Sequence, residues 1–334
     1  MIKTNNILQV EHLKIYFKTF EGISKAVDDI SFVLKEKETL GLVGESGCGK
    51  TVTNLAIMKL LNAKSTILSG EILYNGLDIL QEKEENVRKL RGKEIGMIFQ
   101  EPMASFDPLF TIGEQMSEVC ETHLKLSKQE SRIQGIEMMK KVGIPEPEKR
   151  FYEYPHEMSG GMLQRAMIAL NLLTNPKILI ADEPTTALDV TVQAQVLNLM
   201  KSIQKEFGNS IIFITHDLGV ISEMADRVHV MYAGKIVEKG STIQIFENPK
   251  HPYTIGLMKS KIKKEYKEKT LPYIRGTVPT PQQFPLGCRF HPRCEYAMDI
   301  CREREPHEAV IYEDHLVSCW LFRNRGDELE NYKS

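Results

Sequence analysis

Gly44-Glu-Ser-Gly-Cys-Gly-Lys50-Thr51 has the residue types and spacing of a phosphate cradle, G-x-x-x-x-G-K-[ST]. Glycines let a backbone turn its N–H groups inward around phosphate oxygens. The main chain of Gly44, Glu45, Ser46, Gly47, Cys48 and Gly49 is therefore expected to line a polyphosphate. Lys50 brings a compact positive charge to the outer phosphates, and Thr51 offers a hydroxyl to Mg²⁺. A second group of reactive residues ends the apolar run Ile178-Leu-Ile-Ala-Asp182-Glu183. Adjacent side chains point differently, so two roles are open: Asp182 to hold Mg²⁺ and Glu183 to polarise an attacking water as general base. Ser159-Gly160-Gly161-Met162 precedes the helical run 166–173 and reads as a further anion cradle, built from a cap hydroxyl and free N–H groups. A plain helix cap is the alternative. Gln100 and His216 each follow a short β-like run, a place where a lone Gln or His is more often structural.

These residues need elements that bring them together. The run Leu40–Val43 reads as a buried strand feeding the cradle, and 51–60 as the helix leaving it, its positive dipole end toward the phosphates. Further β-like runs at 95–99, 178–181, 210–215 and 228–232 are mostly separated by helical patterns, which predicts an α/β sheet with a parallel core. In such sheets ligands gather at the carboxyl ends of the strands. The segment 105–175 breaks the rhythm and reads as a helical lobe, and Tyr232-Ala-Gly-Lys235 reads as a tight hairpin turn. From Asn248-Pro-Lys-His-Pro252 onward prolines and cysteines rise, which predicts a large unit over 1–250 and a smaller one over 251–334.

Composition narrows the function class. The 334 residues are 42% hydrophobic and 26% charged, as in a soluble globular protein. A net charge of −2 gives no support for nucleic acid as a partner. The Lys-rich stretch 259–269 also carries Glu265 and Glu268 and reads as a solvated face. No apolar run approaches the ~20 residues needed to span a bilayer, and the first residues lack a signal-peptide core. A cytosolic location is expected, without disulfides.

Taken in order, the motifs resemble those of the ATP-binding subunits of ABC transporters: Walker A at 44–51, Q-loop at Gln100, signature at 158–162, Walker B at 178–183, D-loop at Ala187-Leu188-Asp189, and switch histidine at His216. The resemblance runs from residue 7 to about 245. It implies an α/β fold of the P-loop NTPase class, an ABC ATPase cassette with a parallel core sheet, an antiparallel β subdomain and a helical subdomain. It implies ATP and Mg²⁺, with Gln100 joining Thr51 and Asp182 at the metal, and Glu183 and His216 as catalytic residues. It also implies a head-to-tail pair, each ATP held between one chain's loop and the other's Ser159-Gly160-Gly161-Met162. The expected partners are a second, related and non-identical ATPase and two transmembrane permease subunits, with a solute-binding protein reached indirectly. The expected place is peripheral, on the cytoplasmic face of the cell membrane. Phe17 falls where the family stacks an aromatic on adenine; a core Phe on the first strand is the other reading. Met158 replaces the usual Leu, a volume-conserving swap. Cys48 replaces a common Ser at a place where the backbone matters more than the side chain, though a helix N-terminus there would lower the thiol pKa and invite oxidation.

The C-terminal text is similar to the extension of dipeptide, oligopeptide and nickel importer ATPases: His251-Pro-Tyr-Thr254, Gly276-Thr-Val-Pro-Thr-Pro281 and Pro285-Leu-Gly-Cys288-Arg-Phe-His-Pro-Arg-Cys294, then Cys301 and Cys319-Trp320. Peptides are the expected cargo, nickel or another small solute the alternative. The spacing C-x5-C-x6-C-x17-C lacks the C-x2-4-C pair usual in zinc sites. Four thiolates at Cys288, Cys294, Cys301 and Cys319 suit a [4Fe–4S] cluster, which the resemblance also supports; zinc and free thiols stay open. Cys120 reads as packing. Two other classes compete: a non-transport ABC protein, which would carry two cassettes or long insertions, and a pseudo-ATPase, which would lack Glu183 or His216.

Overall fold

The computed structural model describes residues 5–186, 188–260 and 273–322, so Ala187 of the D-loop and residues 261–269 of the Lys-rich stretch lie outside the described residues. In chain order the strands are β1 (Asn6–Thr19), β2 (Gly22–Lys35), β3 (Thr39–Val43), β4 (Thr66–Tyr74), β5 (Leu77–Asp78), β6 (Ile95–Ile98), β7 (Ile178–Asp182), β8 (Ser210–Thr215), β9 (Arg227–Tyr232), β10 (Lys235–Ser241), β11 (Glu308–Tyr312) and β12 (His315–Ser318). They form a four-stranded sheet in the order β2-β1-β4-β5 and an eight-stranded sheet in the order β11-β12-β10-β9-β3-β8-β7-β6.

The centre of the larger sheet is parallel: β9 with β3, β3 with β8, β8 with β7, and β7 with β6. Every residue of β3, β7 and β8 is buried, which is why these segments read as unbroken apolar runs rather than alternating ones. Alternation reappears in what the two faces touch. Ile211 and Phe213 of β8 join the core shared with the helical lobe, while Ile212 and Ile214 join the core shared with the antiparallel sheet. The sheet thus has a helical layer on one face and the β lobe on the other.

The helical lobe is built from Ile112–Val119, Lys128–Lys141 and Gly160–Leu172 with short connecting turns. Two of these helices start on capping boxes, Thr111 with Glu114 and Ser127 with Glu130, each satisfying otherwise orphaned N–H groups. The third begins at Gly160 with Ser159 as its cap, so the signature residues stand at the start of a helix that runs on through the apolar run read at 166–173.

The antiparallel edge begins with a two-residue turn. Ala233 and Gly234 both take positive φ, 47° and 78°, as a hairpin turn between paired Tyr232 and Lys235 demands. Beyond residue 250 the chain returns to this edge: β12 pairs antiparallel with β10, Glu238 opposite Val317 and Lys239 opposite Leu316. Glu238, 1% exposed, anchors the return by accepting from Lys250 N at 2.7 Å and His251 N at 2.9 Å and pairing with His315 Nε2 at 2.8 Å. A buried carboxylate is tolerated when its oxygens are satisfied in this way. The Cys-bearing segment therefore extends the cassette's own sheet, which the division at residue 250 did not foresee.

Candidate nucleotide site

The five parallel strands deliver the expected residues to one end of the sheet. The cradle follows β3, Gln100 lies two residues beyond the end of β6, Glu183 follows β7, and His216 follows β8. A cleft of about 780 Å³ opens there, lined by Gly44 to Gly47, Gly49 to Thr51, Gln100, Glu183, Thr186 and His216. Among the residues lining that cleft are also Leu257, Ser260, Tyr273 and Ile274 from beyond the division at residue 250.

The loop's glycines are required by contact as well as by conformation. A Cβ on Gly44 would stand 2.1 Å from the Met231 carbonyl oxygen, and Gly49 takes a φ of 107° while backing onto the Ala26 carbonyl. Lys50 is 5% exposed and donates from Nζ to the carbonyls of Gly44 at 2.7 Å and Glu45 at 3.1 Å. Its ammonium is held inside the loop, where an outer phosphate would meet it. Cys48 is buried, with Sγ 3.6 Å from Lys50 Nζ. Burial pushes its thiol pKa up, outweighing the neighbouring ammonium. The expected reactive, low-pKa thiol is thus corrected: the side chain faces the interior, and only its backbone faces the loop's turn.

Thr51 lies in the first turn of the helix Lys50–Ile57, and its hydroxyl donates to Asp182 Oδ1 at 3.2 Å. Asp182 is 3% exposed; burial raises its pKa, and the Glu183 carboxylate adds to that. A hydroxyl and a carboxylate meeting at one point form a hard-oxygen donor pair of the kind Mg²⁺ takes, and a cation there would relieve the buried charge. Glu183 sits at a φ of 47°, a left-handed conformation that is costly for a non-glycine residue. That strain turns its carboxylate into the cleft. Oε2 accepts from Gln100 Nε2 at 3.2 Å and Thr186 Oγ1 at 2.9 Å, and Oε1 lies 3.2 Å from His216 Nδ1. Gln100 meets Glu183 through its amide N–H, which leaves its side-chain oxygen as an acceptor. Thr186 was not singled out in the sequence, where its one signal is its place three residues after Glu183; the structure makes a turn there, with Thr186 N bonded to Glu183 O.

Other expected residues lie elsewhere. Ser159 is the cap of Gly160–Leu172 and accepts from Met162 N at 3.4 Å. Ser159 and Gly160 are exposed, and a Cβ on Gly160 would meet nothing within 4 Å, whereas Gly161 packs close to Val192. None of Ser159 to Met162 lines the chain's own cleft. Asp189 caps the helix Val190–Phe207, accepting from Thr191 N and Val192 N. Phe17, on β1, is half-buried against the core of the β lobe and is not among the residues lining the cleft.

The four C-terminal cysteines converge. Cys288, Cys294, Cys301 and Cys319 line one small cavity of about 10 Å³ together with His251, and Cys288 N donates to Cys301 O at 2.8 Å. Burial pushes the Cys288 thiol up to about 11 and the Cys319 thiol up to about 12. Yet among the described residues no group of three or more His, Cys, Asp or Glu is arranged to hold a metal ion. The expected [4Fe–4S] cluster finds no metal-binding arrangement to support it here. Cys120 is fully buried in the helical lobe, as packing requires.

Comparison with known proteins gives two family matches. A family model described as ABC transporter matches residues 27–186, and one described as oligopeptide/dipeptide transporter, C-terminal region, matches 237–301. The chain is 49% identical over 332 residues to the oligopeptide transport ATP-binding protein OppD of Bacillus subtilis, covering 99% of this chain and 93% of that one. It is 47% identical over 325 residues to AppD of the same organism, another oligopeptide transport ATP-binding protein, covering 97% and 99%. Among solved structures, a dimeric post-hydrolysis state of the ATP-binding cassette MJ0796, bound to ADP and Pi, superposes with a TM-score of 0.64 at 26% identity, covering 70% of this chain and 98% of that one. The cbiO1 subunit of a Clostridium perfringens ABC transporter complex gives 0.61 at 28% identity, covering 73% and 92%.

Proposed function

The chain belongs to the ABC transporter family of ATPases, and from that premise we propose that it is the subunit whose ATP hydrolysis powers uptake of di- or oligopeptides through a membrane importer. The observation that carries the hydrolytic part is the convergence of the Lys50 cradle, the Thr51–Asp182 pair and the Glu183–His216 pair on one cleft. The peptide cargo is supported by the C-terminal region match and by relatives named for oligopeptide transport.

In this reading the N–H groups of the cradle and Lys50 bind the β- and γ-phosphates, and Thr51 and Asp182 would hold Mg²⁺, which would neutralise charge on the phosphates. Glu183 accepts a proton from water as its oxygen attacks the γ-phosphorus, and the bond to the β-γ bridging oxygen breaks, leaving ADP and phosphate. Gln100 and Thr186 fix the carboxylate, and His216 orients it from the other oxygen. Ser159-Gly160-Gly161, at the positive end of a 13-residue helix with Ser159 and Gly160 exposed, serves the nucleotide of an opposing chain. That supports a sandwich with a second ATPase, a related chain in this proposal. Among the described residues no helix is long and apolar enough to cross a membrane, so permease subunits would supply the path, with this chain docked on their cytoplasmic face.

For the cysteine quartet the finer reading is a [4Fe–4S] centre of structural role. Its support is the convergence of four thiols on one cavity and the buried His251 Nε2, which lacks a partner while Nδ1 accepts from Tyr253 N. Protein prepared without oxygen should carry iron and sulfide near four each per chain, lost in Cys294→Ser; stoichiometric zinc, or protein free of metal, contradicts it. The transport proposal has its own test. Membrane extraction with tagged chain should bring down two integral membrane proteins and a second ATPase, identified by mass spectrometry. Recovery of this chain without membrane proteins would contradict it.

A further inference from the structure

Glu45 is the first variable position of the cradle motif, and nothing in phosphate binding asks for a carboxylate there. Its negative charge beside the site of a polyphosphate would oppose binding unless it were neutralised. The structure neutralises it from far along the chain. Arg293 reaches Glu45 through both ends of its guanidinium, Nη1 to Oε2 at 2.8 Å and Nη2 to Oε1 at 3.1 Å, a fork-on-fork pair. The Arg293 side chain is 5% exposed. Its remaining donors are occupied too, Nε on the Arg275 carbonyl at 3.0 Å and Nη1 on the Tyr232 hydroxyl at 3.4 Å. The guanidinium also lies against the rings of Tyr232 and Phe290. The same loop residue is gripped a second time, since Glu45 N donates to the hydroxyl of the fully buried Tyr253 at 2.9 Å. Tyr232, Tyr253 and Phe290 pack against one another with centroids 4.6–5.4 Å apart. This aromatic wedge joins the loop, the β9 end and the cysteine segment, and Cys294 follows Arg293 directly.

We propose that Arg293 is a positioning residue of the nucleotide site: it fixes and neutralises Glu45, so that the cysteine-bearing C-terminal segment sets the affinity of the phosphate loop. The inference needs only nucleotide binding at the loop, not the peptide cargo or an occupied cysteine site. Removing Arg293 leaves a half-buried carboxylate unpaired at the phosphate site. Removing both partners leaves neutral groups and restores a loop without repulsion. A merely structural arginine would show no such rescue.

The test is a double-mutant cycle in the full-length chain, read as equilibrium affinity for Mg·ADP and as KM and kcat for ATP. Arg293→Gln should weaken nucleotide affinity at least ~5-fold, the lower end of ordinary site-to-site coupling, with KM affected more than kcat. Glu45→Gln added to Arg293→Gln should return affinity to within about 2-fold of the parent, a non-additive cycle. Arg293→Lys, which keeps the charge but loses the fork, should fall between; it carries the same comparison if Arg293→Gln does not fold. Unchanged affinity in the arginine variants, or a loss that Glu45→Gln does not relieve, overturns the proposal.

Discussion

Replacing Glu183 by Gln isolates the proton-accepting step from everything else the site does. The carboxylate divides its work between two oxygens. Oε2 takes hydrogen bonds from Gln100 at 3.2 Å and Thr186 at 2.9 Å, while Oε1 faces His216 Nδ1 at 3.2 Å. An amide of the same shape can place its oxygen at the Oε2 position and keep both bonds, with its NH₂ toward the imidazole. The geometry of the cleft, and with it nucleotide affinity, should survive. What is lost is a group able to accept the proton of the attacking water. Loss of a general base costs ~10²–10⁴ in rate, which is about 2.7–5.4 kcal/mol in the barrier at 1.36 kcal/mol per decade. The assay is single-turnover hydrolysis of ATP at saturating Mg²⁺ beside an equilibrium measurement of ATP affinity, with the chain paired to its partner ATPase. A fall of two to four decades in rate with affinity within about 2-fold of the parent is expected. Hydrolysis at the parent rate refutes Glu183 as the base. Equal loss of affinity refutes the division of labour between its two oxygens.

Lys50→Ala removes the ammonium held by the Gly44 and Glu45 carbonyls and should weaken ATP binding by about 10- to 100-fold, the worth of a charged hydrogen bond of roughly 1.5–3 kcal/mol; unchanged binding in an equilibrium assay contradicts the loop's role. Ser159→Arg should lower hydrolysis by the paired enzyme while ATP binding to the isolated chain stays intact, because the signature turn lies outside the chain's own cleft; lost binding in the isolated chain contradicts action on an opposing nucleotide. Cys48→Ser should leave ATP affinity within about 3-fold of the parent, because the thiol contributes no cradle N–H. The raised thiol pKa keeps Cys48 protonated through neutral pH, so iodoacetamide should leave it unmodified in the folded chain, and rapid alkylation there contradicts the buried assignment.

The parts of the fold legible in the sequence are those under the strictest local demand. β3, β7 and β8 lie buried on both faces and leave apolar runs with chemistry at their ends. The long strands β1 and β2 are harder to read. Their register shifts between Val10 and Lys14, where His12 takes a φ of 49°, and Asp29 takes 64° on the facing strand. Each bulge flips the in-out alternation on which a strand is recognised. The pairing of β12 with β10 is invisible for another reason: it joins residues about eighty positions apart with no turn chemistry linking them. Distance along the chain also misled about the cysteine segment. Nothing near Cys294 resembles a nucleotide motif, yet its neighbour Arg293 touches Glu45 and Ile274 walls the cleft. Effects of Cys294→Ser on ATP binding are therefore expected to travel through Arg293.

The account rests on ATP hydrolysis at this cleft being spent on moving peptides across a membrane. The direct measurement is uptake of a labelled oligopeptide into proteoliposomes that hold the permease subunits, both ATPases and the solute-binding protein, with ATP supplied on the face that carries this chain. Accumulation above the external concentration is predicted with the parent chain and its loss with Glu183→Gln, both dependent on ATP. ATP hydrolysis that proceeds at the full rate with no peptide accumulation, across a panel of di- and oligopeptides, would contradict it.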